Sequence, residues 1–184
     1  MVVILASCGD GNYAPKPKAY FRIDTPKPEY RKFNTLNYPY SFEYPTYANI
    51  LRFPDKEKEE EKFWINLDYP QFNGRVHISY KAVNKNLPQL IDDANMFANK
   101  HIPKSNGIGE KLYENPETKV YGVVFDIKGS DVASPYQFFV TDSTKHFLRG
   151  ALYFNQEPNN DSLEPVIKFI KKDIDHLIET VRWR

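Results

Sequence analysis

Short segments in which apolar and polar residues alternate recur along most of the chain and predict a sheet. Successive side chains of a strand point to opposite faces, so this alternation indicates strands with one apolar face. Thr25 and Pro26 end the first such segment and favour an edge position, because proline cannot donate to a ladder. The predicted strands are Tyr20–Asp24, Tyr40–Tyr44, Ala48–Phe53, Phe63–Tyr69, Val76–Tyr80, Gly109–Tyr113, Val120–Ile127, Tyr136–Thr141 and His146–Phe154.

Two segments follow a helical period instead. The first begins behind Asn86, a predicted N-cap, with Pro88 in its first turn, and ends near His101. The second begins at a predicted Asp161–Ser162 cap and carries one aliphatic stripe, which we expect to cover the sheet. That stripe consists of Val166, Ile167, Ile170, Ile174, Leu177, Ile178 and Val181.

The order of these elements predicts an α+β fold, in which one helix lies on each face of a mainly antiparallel, twisted sheet. The connections between the last four strands are too short for parallel crossovers. Both faces of these strands are largely apolar, so both must be covered. The element order resembles the Mog1/PsbP-like sandwich, a resemblance that specifies no chemistry.

Composition and charge exclude several classes of function. The 184 residues contain 25 Lys plus Arg against 24 Asp plus Glu, without the basic excess of a nucleic-acid-binding domain. No stretch approaches the ~20 apolar residues of a membrane-spanning helix. The content of 41% apolar and 15% aromatic residues predicts one folded domain over residues 20–184. The balanced charge predicts no nucleic-acid partner.

The N-terminus contains the only cysteine of the chain. Leu5, Ala6 and Ser7 before Cys8 resemble a bacterial lipobox, which implies cleavage before Cys8 and attachment of diacylglycerol to its thiol. Several acyl chains bury enough methylene groups to anchor a protein to a membrane stably.

The lipobox divides the N-terminal region into two predicted parts. Residues 1–7 are a residual signal peptide, and residues 8–19 are a lipid-anchored flexible tether with the glycine and proline content of a spacer. The apolar run is shorter than a secretory h-region of 7–15 residues, so we expect the natural start to lie upstream.

Catalytic and cofactor motifs are missing from the sequence. There is no Gly-x-Ser-x-Gly elbow, and Gly107 and Gly109 precede a strand rather than a helix, unlike a phosphate-binding loop. His176 has one-turn spacing from Asp173, but two ligands are too few for a metal site. Lys171 is at pairing distance from Asp175 on the polar helix face. We therefore expect a non-enzyme without metal or cofactor.

The segment from Tyr38 to Tyr47 combines tyrosine with proline and leaves alternatives open. Rigid aromatic residues are favoured interface anchors, which indicates a partner-binding surface. Alternatively, the tyrosines pack one face on the core and the terminal tryptophan seals a helix end. A second functional hypothesis is a sugar- or peptide-binding lipoprotein, hydrolytic if Glu43 acts with another carboxylate. The candidate surface residues are Tyr38, Tyr40, Tyr44, Tyr47 and Trp183.

Several strings of residues together resemble the GldD gliding-motility lipoproteins of Bacteroidota. They are CGDGNYAPKPK at Cys8–Lys18, YFRID at Tyr20–Asp24, YSFEYP at Tyr40–Pro45, RGALYF at Arg149–Phe154 and VRW at Val181–Trp183. The resemblance implies a cell-envelope lipoprotein required for gliding and the associated protein secretion machinery. It implies envelope partners such as a GldE-like membrane protein, and no catalytic residue. The residues after Cys8 lack an acidic cluster, which favours a periplasm-facing domain.

Overall fold

The computed structural model describes residues 23–52 and 61–184. The predicted signal peptide, the tether, Cys8 and the lipobox residues therefore lie outside the described residues. Short 3₁₀ turns occur at Pro70–Phe72 and Ile102–Lys104. The elements of the described chain are β1 Tyr30–Phe33, β2 Tyr40–Pro45, β3 Asn49–Arg52, β4 Ile65–Tyr69, β5 Gly74–Ala82, α1 Leu87–Asn99, β6 Gly107–Asn115, β7 Val120–Lys128, β8 Tyr136–Thr141, β9 His146–Phe154, α2 Asn160–Thr180 and β10 Arg182–Trp183.

The strands form two antiparallel sheets. The large sheet has seven strands in the order β3-β4-β5-β9-β8-β7-β6, and the small sheet has three in the order β1-β2-β10. The predicted hairpin of β4 and β5 is present, with Ile65 opposite Ile78 and Tyr69 opposite Gly74. The prediction of a mainly antiparallel sheet is confirmed.

The two helices cover opposite faces of the large sheet. On β8, Phe138 and Val140 point toward the core beneath α2 and the small sheet, whereas Phe139 packs in the core beneath α1. The side chains that the sequence predicts as one stripe, six on α2 and Val181 directly after it, are all buried. The predicted α+β fold with a helix on each face is therefore confirmed.

The N-terminal part of the fold departs from the sequence prediction. Residues 20–22 of the predicted first strand lie outside the described residues, and Ile23–Glu29 form neither helix nor strand. The first strand of the described chain is β1 at Tyr30–Phe33, with two exposed basic residues at its centre. A strand of four residues carries too little alternation to be recognised, and pairing with β2 stabilises it.

The helix starts also differ from the predicted caps. The N-cap of α2 is Asn159, whose side chain accepts a hydrogen bond from the Ser162 amide, so the helix begins one residue before Asp161. Asn86 precedes α1 as predicted, but its side chain caps no helix amide. Its Oδ1 accepts from the amide of Asn84 at 2.8 Å instead.

We expect the Gly122→Ala variant to be destabilised by about 3 kcal/mol or more. A Cβ at this position of β7 would collide with the Phe139 carbonyl oxygen of β8, and the nearest atoms are all backbone atoms of that strand, which cannot move aside as a flexible side chain could. Urea unfolding measures the loss. Gly109→Ala in β6 is the matched control, because its Cβ would come no closer than 3.8 Å to a neighbouring atom. Equal stability of the two variants would contradict this packing.

Candidate functional site

The structure buries two of the tyrosines that the sequence proposes for partner binding. Tyr40 has no exposed surface and Tyr38 is 7% exposed. The Tyr40 hydroxyl donates to the Phe63 carbonyl at 2.5 Å, and burial raises the pKa of Tyr40 well above its usual value. Tyr38 meets Phe33 edge to face at a centroid distance of 5.0 Å. Neither ring offers a face to a partner.

The other three candidates are partly exposed. The Arg31 guanidinium lies 4.7 Å from the centre of the Tyr44 ring. Trp183 stacks on His146 with a centroid distance of 5.2 Å and donates from Nε1 to the Lys119 carbonyl at 2.9 Å. Burial narrows the proposed surface to Tyr44, Tyr47 and Trp183, and contact with a partner stays a prediction.

A buried carboxylate on α2 holds tyrosines from the surrounding strands and loops. Asp173 is 1% exposed, and its Oδ1 accepts from the Tyr30 hydroxyl at 3.0 Å. The Tyr47 hydroxyl lies 2.8 Å from both carboxylate oxygens. Burial raises the pKa of Asp173, while hydrogen bonds from the tyrosines act in the opposite direction. Burial and the nearby Asp173 also raise the pKa of Tyr69.

A histidine and a second carboxylate extend this cluster toward the surface. His176 Nε2 lies 2.9 Å from Glu43 Oε2, which joins α2 to β2. The Tyr30 ring stacks on the His176 imidazole at a centroid distance of 3.7 Å. Burial and the charge of Asp173 raise the pKa of Tyr30 to about 12. We name these residues the α2 clamp: Tyr30, Glu43, Tyr47, Asp173 and His176.

The α2 clamp has the chemistry of a structural link. A carboxylate that is 1% exposed and bound by phenols offers no surface to a substrate. Glu43, the residue proposed for hydrolysis, is engaged by His176 at 2.9 Å. Residues 23–52 and 61–184 contain no group of three or more His, Cys, Asp or Glu side chains placed to hold a metal.

A pocket lies on the opposite face of the large sheet. It occupies about 470 Å³ between α1 and the strands β5 and β9, within the range of ligand pockets. Its aromatic walls are Trp64, Phe97, Phe147 and Tyr153, and we name it the α1 pocket.

The polar floor of the α1 pocket contains a histidine and an arginine. His77 Nδ1 lies 2.6 Å from Asn66 Oδ1. Burial, assisted by the charges of Arg75 and Arg149, lowers the pKa of His77 and favours its neutral form at pH 7. Arg149 donates from Nη2 to Gln137 Oε1 at 2.6 Å, and its guanidinium lies 4.6 Å from the centre of the Phe97 ring.

Sequence reasoning missed Arg149. The signal was present, since an arginine stands at the centre of His146–Phe154, a strand predicted to be covered on both faces. A charged residue at such a position requires either a partner or an opening to solvent. Pattern alone does not show which of these applies, because the extent of α1 above the strand is a tertiary feature.

Comparison with known proteins identifies the family. The family model described as gliding motility lipoprotein GldD matches residues 10–183. The chain belongs to the GldD family. The predicted family resemblance is confirmed, and with it a gliding-motility lipoprotein associated with the cell envelope.

Two further comparisons complete this result. The solution structure of cyanobacterial PsbP (CyanoP) from Synechocystis sp. PCC 6803 aligns with a TM-score of 0.49 and 10% identity, over 98% of this chain and 99% of that chain. No curated protein matches the sequence significantly. In the described chain, neither helix combines the length and apolar character needed to cross a bilayer.

We expect the Asp173→Ala variant to lose about 3 kcal/mol of unfolding free energy. Removing the carboxylate leaves the hydroxyls of Tyr30 and Tyr47 without their acceptor inside the protein. Chemical denaturation at pH 7 measures the loss. Glu179→Ala, an exposed side chain on the same helix, is the control and should change stability by less than about 0.5 kcal/mol. A similar change in both variants would show that the α2 clamp does not stabilise the fold.

The raised pKa of Tyr30 predicts a specific alkaline instability. Its folded pKa of about 12 exceeds the ordinary value of 10.0, so its stabilising contribution is complete below pH 10 and is lost as pH rises through about 12. Tyr30→Phe cannot ionise at this position. The difference in unfolding free energy between wild type and this variant should therefore shrink from pH 9 to pH 12 by about 1 kcal/mol, because solvent screens part of the interaction at this partly exposed side chain. A difference independent of pH would contradict the prediction.

Proposed function

We propose that this protein is a non-catalytic lipoprotein that acts in gliding motility, and in the associated protein secretion machinery, by binding other envelope proteins. The observation that carries the proposal is the match of the GldD family model to residues 10–183. The envelope partner that we expect is a GldE-like membrane protein. A periplasm-facing domain is part of the proposal.

The state of the carboxylates supports a non-catalytic role. A glycosidase needs two carboxyl groups that flank a substrate, about 5–9.5 Å apart. Asp173 is buried beneath tyrosines, and Glu43 binds His176. The hydrolytic alternative has no specific support in this arrangement.

The proposed anchor keeps the domain near a bilayer. Covalent geometry limits the distance between Cys8 and Ile23 to about 50 Å, because an extended chain spans at most ~3.6 Å per residue. A lipid on Cys8 therefore confines the domain to a layer next to the membrane, where encounters with other envelope proteins are frequent.

Replacing Cys8, the proposed site of lipid attachment, tests the anchor. We expect the Cys8→Ala variant, expressed from the full-length gene, to leave the membrane fraction and to abolish gliding, because no acyl chain can be attached. Asp10→Ala, two residues away, should stay in the membrane fraction. Intact-mass spectrometry of the processed wild type should show the added acyl mass. Equal membrane recovery of Cys8→Ala and wild type would refute lipid anchoring.

Crosslinking in intact cells tests partner binding. We expect wild type to capture a GldE-like envelope protein, and the Tyr44→Ala and Trp183→Ala variants to capture at least several-fold less. Tyr121→Ala is a matched control, because this half-buried tyrosine lies on the α1 side of the large sheet. Recovery of no envelope protein by wild type would overturn the binding proposal. Equal capture by all variants would exclude the aromatic surface while leaving the anchor unaffected.

A further inference from the structure

We propose that the α1 pocket is a binding site for a small aromatic carboxylate, with Arg149 as the residue that binds the acid. The site is independent of the partner-binding proposal and lies on the other face of the sheet from Tyr44. Three observations carry it: the lining of the pocket, the partners of Arg149, and the balance of charge.

The lining differs from that of an ordinary solvated sheet face. On β5, the side chains facing α1 are polar and include His77, Ser79 and Lys81. A sheet face exposed to solvent is ordinarily bordered by polar side chains, but the aromatic rings of Trp64 and Phe97 border this space. An apolar lining that includes several aromatic rings, together with a few convergent polar groups, is the common composition of a small-molecule site.

Arg149 has no carboxylate partner among the described residues. Its guanidinium donates to Gln137 and lies against the Phe97 ring, so it is held in place while several of its five N–H donors stay available. These donors match the acceptor oxygens of a carboxylate, which an arginine can bind with two parallel hydrogen bonds.

Burial makes this unpaired cation costly for the protein alone. Burial is the main cause that lowers the pKa of Arg149, which reflects the loss of hydration around its charge. An arginine nevertheless stays protonated at neutral pH. A bound carboxylate would supply the counter-charge, and partial exclusion of water would strengthen the pair.

The net charge of the pocket lining favours a ligand with a single negative charge. Arg149 and Lys81 are the cationic side chains of the pocket, and Asp93 on α1 is the acidic one. With His77 neutral, the described lining carries one net positive charge. A monoanion neutralises it, whereas a second negative charge would lie near Asp93 without compensation.

The walls specify the body of the ligand. Trp64 and Tyr153 lie on the sheet side and Phe97 lies on the helix side, so rings border the space from both layers. Flat aromatic groups pack against such rings with favourable offset-stacked or edge-to-face geometry. A ring that carries one carboxylate therefore satisfies both parts of the lining.

The two tryptophans of the chain provide the measurement. Trp64 borders the α1 pocket, whereas Trp183 stacks on His146 outside it. In a ¹⁵N-labelled sample of the whole chain, 4-phenylbutyrate should shift the Trp64 indole signal saturably and leave the Trp183 signal unchanged. For a ligand of this size we expect a Kd of about 1 mM or tighter.

Charge-matched probes separate anion binding from simple hydrophobic contact. The neutral 4-phenylbutanol and the cationic 4-phenylbutylamine should bind at least tenfold more weakly than the carboxylate. Equal binding of the anion and the alcohol would overturn the proposal. So would a titration of 4-phenylbutyrate without a saturable shift of Trp64, or with an equal shift of Trp183.

Two arginine variants test the role assigned to Arg149. Arg149→Met keeps an apolar stem. It should lower the affinity for 4-phenylbutyrate at least tenfold and leave the affinity for 4-phenylbutanol unchanged. Arg75→Met is the matched control, because Arg75 is paired with Asp68 at 2.8 Å and lies outside the pocket lining. Unchanged affinity of Arg149→Met would refute the assignment.

A third variant covers the case in which Arg149→Met fails to fold. Phe97 is 39% exposed, so Phe97→Ala should keep the fold and lose both an aromatic wall and the ring that holds Arg149. We expect severalfold weaker binding of 4-phenylbutyrate by this variant. Unchanged affinity would contradict the proposed site.

Discussion

The fold depends on one helix that binds two sheets at once. One side of α2 packs aliphatic side chains such as Ile170 and Ile174 on the large sheet. Beside this stripe, Asp173 and His176 bind groups of the small sheet and its loops. The small sheet has short strands, and a sheet of that size needs further packing to persist. The α2 clamp and the aromatic core below it supply that packing.

The link between α2 and β2 also extends beyond the clamp. The Glu43 amide donates to Thr180 Oγ1 at 2.9 Å, while the Glu43 carboxylate binds His176. The same helix reaches the far strands of the large sheet through Lys171, which pairs with Asp126 at 2.7 Å. A single element thus orients both sheets through directional bonds, and its apolar stripe provides non-directional packing.

The two faces of the large sheet are covered to different extents. The α2 face serves the stability of the fold, and the α1 face contains the proposed ligand site. The α2 face is closed by a helix, a second sheet and buried aromatic rings. The α1 face is covered by a shorter helix over β8 and β9, so the polar side of β5 borders an open pocket. The buried polar groups on the α2 face bind one another and stabilise the fold, whereas Arg149 on the α1 face has N–H donors available for a ligand.

Much of the architecture follows from the sequence, because periodicity is a local property. The strands at Tyr136–Thr141 and His146–Phe154, the start of α1 and the stripe of α2 follow from residue spacing. Lipid attachment at Cys8 is likewise predicted from adjacent residues.

The partners of individual side chains were decided only by the tertiary structure. The sequence places Lys171 near Asp175 on one helix face, but Asp126 on β7 pairs with it. Tyr40 is buried because its ring contacts both Phe42 of the small sheet and Tyr80 of the large sheet. Tyr38 is buried because the rings of Tyr40 and Phe63 pack against it. Asp173 is buried because strands and loops distant in sequence bring tyrosines to it. The contacts of Asp173 join residues more than one hundred positions apart, which no local pattern encodes.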